Sequence, residues 1–249
     1  MPILHLRTDT PQNCIKYSIV GHYGTRPFVK HAAILKGDTA VLFGADDIFV
    51  WHIGPPLVAG PQTTAAAAEK GRKTSIHIVG FVNLDADDIE GIETWLSDVD
   101  KEDRPLKGSL TDVLAQYRVS PPIYWVMAEN HTPLYRQFSC VGFVMDCYRA
   151  IAINLIDDAQ LDRFPDVTID QVVAAYGPTV QRDEFRNKLG IPGQGPWKIV
   201  LAGYLFHSLN RDNTVIRHTP YVPSNIAEKD FQTPDLPGPA AAPVEQANS

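Results

Sequence analysis

Four short segments between Lys30 and Val82 constrain this chain more than any other feature: HAAIL (31–35), AVLF (40–43), IFVWHI (48–53) and SIHIVGFV (75–82). Each is rich in β-branched, aromatic or apolar residues and is bounded by turn chemistry such as Lys36-Gly37-Asp38 or Gly44-Ala45-Asp46-Asp47. Together they predict a small antiparallel sheet. Between the third and fourth, residues 55–73 are rich in small side chains and read as a loop with a short helix around Ala65 to Glu69.

Beyond Val82 the apolar period becomes helical. Asp85 is a plausible N-cap with Asp88 near the first turn, and Ile89, Ile92, Leu96 and Val99 share one face, so a helix is expected to end near Asp100. A weaker helix over Leu110 to Tyr117 would stop at Pro121-Pro122, and the interval 121–137 reads as irregular. The clearest helix begins at Ser139, where Val141, Val144, Met145, Tyr148, Ala152 and Leu155 recur at the spacing of a buried stripe. Residues 168–177, Thr179 to Leu189 and Trp197 to Asn210 read as further helices, with Tyr204, Leu205 and Phe206 as core. The expected architecture is α+β, with a small antiparallel sheet packed on the helix that carries Cys140 and a helical extension after it. The boundaries are a domain over 1–155, the extension over 156–232 and a Pro/Ala-rich disordered tail over 233–249.

Composition limits what such a fold would do. An apolar fraction of 44% and a charged fraction of 20% are those of an ordinary folded protein. A net charge of −7, with no basic stripe interleaved with aromatics, argues against a nucleic-acid partner. No run approaches the length of a transmembrane span and the N-terminus lacks the layout of a signal peptide, so a cytoplasmic location is expected. Cys14, Cys140 and Cys147 are too scattered for a disulfide framework, no zinc-type spacing is present, and no cofactor or metal is called for. Reduced thiols leave room for one that reacts.

Cys140 is the candidate. In the first turn of a helix, unpaired backbone N–H groups and the helix dipole favour thiolate. With Ser139 as N-cap, the first-turn amides, including that of Cys140, are left to hold a developing oxyanion. The plainer reading is a small buried residue under the sheet, which is what most free cysteines are. Cys147, two turns on, reads as core. A thiol nucleophile needs a base and an orienting group behind it. His31 opens a strand at the edge of a turn, and His52 lies between Trp51 and Ile53, where an imidazole needs a polar partner. His77 suits either face of its strand, and His22 and His131 are fallback bases.

Three stretches carry a resemblance: KHAAILKGD (30–38), FVWHIGPP (49–56) and PLYRQFSCVGFVMDCYR (133–149). In this order they resemble the lecithin:retinol acyltransferase-like branch of the circularly permuted NlpC-type papain-like proteins. That family has His followed by small or apolar residues and a Gly-Asp turn, then a strand ending in His-Leu-x-Pro-Pro, then Leu-Tyr before an Asn-Cys-x-x-Phe-Val helix start. The resemblance covers about residues 28–150, and Ser139 stands where the family usually has Asn. It implies a permuted papain-like fold with Cys140 as nucleophile, His31 as base, His52 as the residue orienting His31, and Phe143 and Val144 packing the helix.

The implied activity is that of a thiol-dependent hydrolase (peptidase or amidase) or acyltransferase, acting on an amide or ester in a small molecule, lipid or peptide through a Cys140 thioester. Tyr135 and Gln137 lie close enough in sequence to Cys140 to supply a second oxyanion donor. Two further readings stand beside it: a non-catalytic binding module that keeps the papain-like shape, and a secreted or injected effector using the same site. The sequence does not fix an oligomeric state.

Overall fold

In the segment YSIVGHY, Ile19 and Gly21 alternate with Val20, and in VKHAAIL, Ala32 and Ile34 alternate with Ala33 and Leu35; this period-two pattern makes strands with two buried faces. They are β2 (Ile19–Tyr23) and β3 (Val29–Leu35) of a computed structural model that describes residues 3–5, 16–23, 29–35, 50–53, 78–103 and 117–230. With β1 (Ile3–His5), β4 (Val50–Trp51) and β5 (Ile78–Gly80) they form an antiparallel sheet in the order β1-β5-β2-β3-β4. The architecture is mixed α+β, a small antiparallel sheet with several helices. The expected strand 40–43, the loop 55–73, His77 and the tail 233–249 lie outside the described residues.

The residues after the sheet form α1 (Ala86–Asp103), closed at its start by a reciprocal pair: Asp88 N–H donates to the Asp85 carboxylate and Asp85 N–H to that of Asp88. The interval expected to be irregular is a hairpin, β6 (Ile123–Met127) and β7 (Pro133–Phe138), turning at His131 with φ 62°. Its strands are rich in β-branched and aromatic residues, but Tyr124, Trp125, Met127 and Leu134 are exposed, so the alternation that marks a half-buried strand is weak there. Next come α2 (Cys140–Arg149), β8 (Asp166–Val167), α3 (Ile169–Tyr176), α4 (Asp183–Lys188), β9 (Trp197–Lys198), α5 (Ala202–Leu209) and α6 (Asn213–His218). Three helices expected here are shorter than their patterns, and the one expected over 179–189 is a 3-10 turn (Pro178–Gln181) followed by α4. The apolar stripe of α2 runs on past Arg149 into non-helical chain, with Ala152 at φ 60°, and Trp197 belongs to a strand paired with Val167.

One cluster of buried side chains joins the sheet to the C-terminal helices, running from Ile19 and Ala32 through Cys140 and Phe143 to Tyr204 and Phe206. At Gly21 of β2 an added Cβ would fall 2.7 Å from the Phe206 ring, so α5 lies directly on the strand. The opposite face buries Val20, Ala33, Leu35, Val50 and Val79.

Candidate active site

The helix start that carries Cys140 is held on three sides. Ser139 is extended, at φ −78° and ψ 169°, and its Oγ accepts the Gly142 N–H at 2.9 Å, as N-cap chemistry requires. The Ser139 N–H donates to the Pro122 carbonyl at 2.9 Å, docking α2 on the chain that enters β6. Gly142 makes that approach possible, since a Cβ there would sit 1.8 Å from the Pro122 oxygen.

Further along, Phe143 packs edge-on against Trp95 and Phe138, with ring centroids 5.0 and 5.8 Å away. Beside these rings Arg136 is buried between two carboxylates, with Nη1 2.8 Å from Asp146 and Nε 3.0 Å from Glu102. The Trp95 Nε1–H donates to Asp146 at 3.0 Å, so one ionic cluster ties α1, β7 and α2 together.

Cys140 is only 4% exposed. Burial pushes its thiol up from the ordinary value, and the backbone N–H groups of Ala32, Val141 and Cys140 oppose that shift without cancelling it. The helix start favours thiolate, as the sequence leads one to expect, but desolvation outweighs it and the resting group is a protonated thiol. Cys147 is fully buried and its thiol is pushed higher still, first by burial and then by the Asp146 carboxylate.

The Ala32 amide belongs to the residue directly after His31; side chains alternate along β3, so Ala32 shares the Cys140 side of the sheet while His31 falls in phase with Ala33 and Leu35. His31 Nε2 lies 3.2 Å from His52 Nδ1, with the rings edge-on at 90°. His52 follows the end of β4 and does not lie inside a strand, yet it is buried, at 5% exposure. A neutral imidazole has one donor and one acceptor nitrogen. If His31 carries its proton on Nε2 and donates it to His52, Nδ1 becomes its basic nitrogen.

Two tyrosines not singled out in the sequence complete the surroundings. Tyr117 is buried and bridges to Phe138, while the neighbouring Arg118 N–H donates to the Phe138 carbonyl at 2.9 Å. Its phenol is influenced first by burial and then by the neighbouring Tyr176, at the end of α3, and Cys140. Burial pushes both phenols up, so both stay protonated at neutral pH. The backbone donor that reaches the thiol from outside α2 is Ala32, whereas Tyr135 and Gln137 pair across the hairpin with Val126 and Tyr124. A backbone amide leaves no trace in sequence, and nothing local links Tyr117 or Tyr176 to Cys140.

Among the described residues no group of three or more His, Cys, Asp or Glu is placed to hold a metal ion, and no helix is long and apolar enough to cross a membrane. Compared with known proteins, the chain matches no family model, no curated protein and no solved structure.

Proposed function

We propose that this chain is a thiol-dependent hydrolase or acyltransferase of permuted papain-like fold, with Cys140 as nucleophile, His31 as base and His52 orienting His31. The observation that carries the reading is the His31–His52 contact at 3.2 Å, immediately before the residue whose amide reaches the Cys140 thiol. Buried His52 has His31 as a polar partner, and the reading requires the His31 ring to reach the thiol past β3, a requirement that acylation of His31→Ala tests. The order along the chain, base strand before nucleophile helix, is that of the permuted proteins the motifs resemble.

In this mechanism His31 takes the thiol proton as sulfur attacks the carbonyl carbon of an ester or amide. A C–S bond forms and the carbonyl oxygen becomes an oxyanion, within reach of the Ala32 N–H. Collapse breaks the bond to the alcohol or amine, which leaves with the proton from His31, and a thioester remains. Water then releases an acid, or a second alcohol or amine takes the acyl group. Because the resting thiol is protonated, proton transfer accompanies attack instead of preceding it.

The test is acylation by p-nitrophenyl acetate, with the site of acetylation read by mass spectrometry on intact protein and peptides. Acetylation is expected at Cys140, lost in Cys140→Ser and slowed roughly 100-fold in His31→Ala, the usual contribution of a general base. Acetylation confined to other residues, or unchanged in His31→Ala, would leave a binding module in place of an enzyme.

A further inference from the structure

Three histidine positions fall on the face of the sheet opposite Cys140. His31 is in phase with Ala33 and Leu35 along β3, and those two share a buried cluster with Val20 of β2 and Val50 of β4. His52 stands two residues beyond Val50, and its Nδ1 lies 3.2 Å from His31 Nε2. The strand register sets His22 directly opposite His31, as it sets Val20 opposite Ala33, and it shifts only after His22. Residues paired in this way have their Cα atoms about 4.5–5.5 Å apart.

We propose that His31, His52 and the register-paired His22 form a zinc(II) site, with ligands drawn from β3, the end of β4 and β2 of one sheet. Two imidazole nitrogens bound to one tetrahedral zinc at about 2.0–2.1 Å stand about 3.3–3.4 Å apart. His31 Nε2 and His52 Nδ1, at 3.2 Å, therefore need almost no movement to share the ion. Their ring planes are perpendicular, which keeps the two imidazoles clear of each other around it. The described side chains supply these two ligands, and position 22 is assigned the third from the register alone. Imidazole nitrogen suits zinc, and three protein ligands leave a fourth position for water, as in open zinc sites.

The site stands whether or not Cys140 reacts. Cys140 belongs with Ala32 and Ile34 to the cluster on the other face of the sheet and is not among the ligands. One consequence does rest on the reading of His31 as the base for Cys140. Zinc on Nε2 keeps the imidazole proton on Nδ1, the nitrogen that would accept from the thiol. Bound zinc is therefore expected to block acetylation at Cys140.

The experiment titrates the chelator-dialysed full chain with zinc against a chromophoric chelator, and with cobalt(II), whose visible absorption is intense when it is four-coordinate. Wild type and Cys140→Ser are expected to bind one zinc per chain, as is His218→Ala, whose histidine is exposed at the end of α6. His22→Ala, His31→Ala and His52→Ala are each expected to weaken zinc at least roughly 100-fold, since losing even an outer partner of a ligand can cost that much. Urea midpoints measured without metal establish that each variant is folded, and the corresponding asparagine variants repeat the comparison for any that is not. Wild type that takes up no zinc would overturn the site, as would an affinity unchanged by any one of the three alanine substitutions or lost in Cys140→Ser. Acetylation by p-nitrophenyl acetate with and without zinc reads the consequence separately: one zinc bound with acetylation of Cys140 unchanged would remove His31 as base and leave the zinc site standing.

Discussion

His31 and His52 meet nitrogen to nitrogen at 3.2 Å, although 21 residues separate them in sequence. β3 and β4 pair Ile34 with Trp51 and Leu35 with Val50, and this register brings the chain just past Trp51 back beside His31. If His52 fixes the tautomer and direction of His31, its loss leaves the base present but misaligned. His52→Ala is expected to slow acylation roughly 10- to 100-fold, less than His31→Ala. His52→Gln, which can still accept from His31 Nε2, is expected to recover part of the loss. Rates of p-nitrophenolate release in the three variants check the order, and a His52→Ala protein as active as wild type would exclude the orienting role.

Alkaline pH tests the buried acids together. Burial pushes the Cys140 and Cys147 thiols and the Tyr148 phenol above their ordinary values, and the Tyr148 hydroxyl donates to the Tyr17 carbonyl at 2.7 Å, a bond only its protonated form can make. Unfolded, these groups would lose their protons near pH 8.5 for thiols and about 10 for the phenol. The folded chain keeps the protons longer, so their stabilisation is complete below those values and declines as pH rises through and beyond them. Urea midpoints are expected to fall between pH 8 and pH 10, and Cys147→Val to remove part of that fall. A midpoint that stays level to pH 10 would contradict the enclosed state of these groups.

What the sequence made legible was local. Ser139 as cap, Cys140 in the first turn and the stripe Val141, Val144, Met145 and Tyr148 follow from capping and periodicity within ten residues, and the structure starts α2 at Cys140 with these four buried. The hairpin was not legible, because Trp125 and Tyr124 are both exposed and two prolines precede Ile123. The surroundings of Cys140 were less so. Ala32 acts there through a backbone amide, and Tyr117 and Tyr176 reach it from segments whose own patterns concern only their helices or turns. Burial of the thiol in the common core reverses a tendency read from the helix start alone.

Arg136 offers a test of the frame around the site. Its side chain is 10% exposed, with Glu102 at 17% and Asp146 at 15%, and it bonds both. Removing it in Arg136→Ala strands two mostly enclosed carboxylates and opens space beside Trp95 and Trp125, whose rings lie 5.4 and 5.2 Å from the guanidinium. A loss of about 3–5 kcal/mol in urea unfolding is expected. Arg136→Lys should recover little, since an ammonium cannot reproduce the planar fork that engages Glu102 through Nε and Nη2 while Nη1 reaches Asp146. Full recovery by Lys would show that charge alone, and not the fork, holds α1, β7 and α2 together.

Gly142 separates the position of the helix start from its stability. A methyl group there would lie 1.8 Å from the Pro122 carbonyl oxygen, a backbone atom that also accepts the Ser139 N–H. Neither side can rotate away, so α2 must shift from the Pro121-Pro122 segment and carry Cys140 with it. Gly142→Ala should therefore cost stability despite the better helix propensity of alanine, about 1–3 kcal/mol for overpacking against at most about 1 kcal/mol gained. The same displacement moves Cys140 relative to Ala32 on β3. Acetylation of the folded variant, measured well below its urea midpoint, should then fall at least tenfold, because misplacing reacting groups by about 1 Å is costly. A variant as stable and as readily acetylated as wild type would mean that α2 does not lie against Pro122 as described, and that the Cys140–Ala32 contact is not set by this packing.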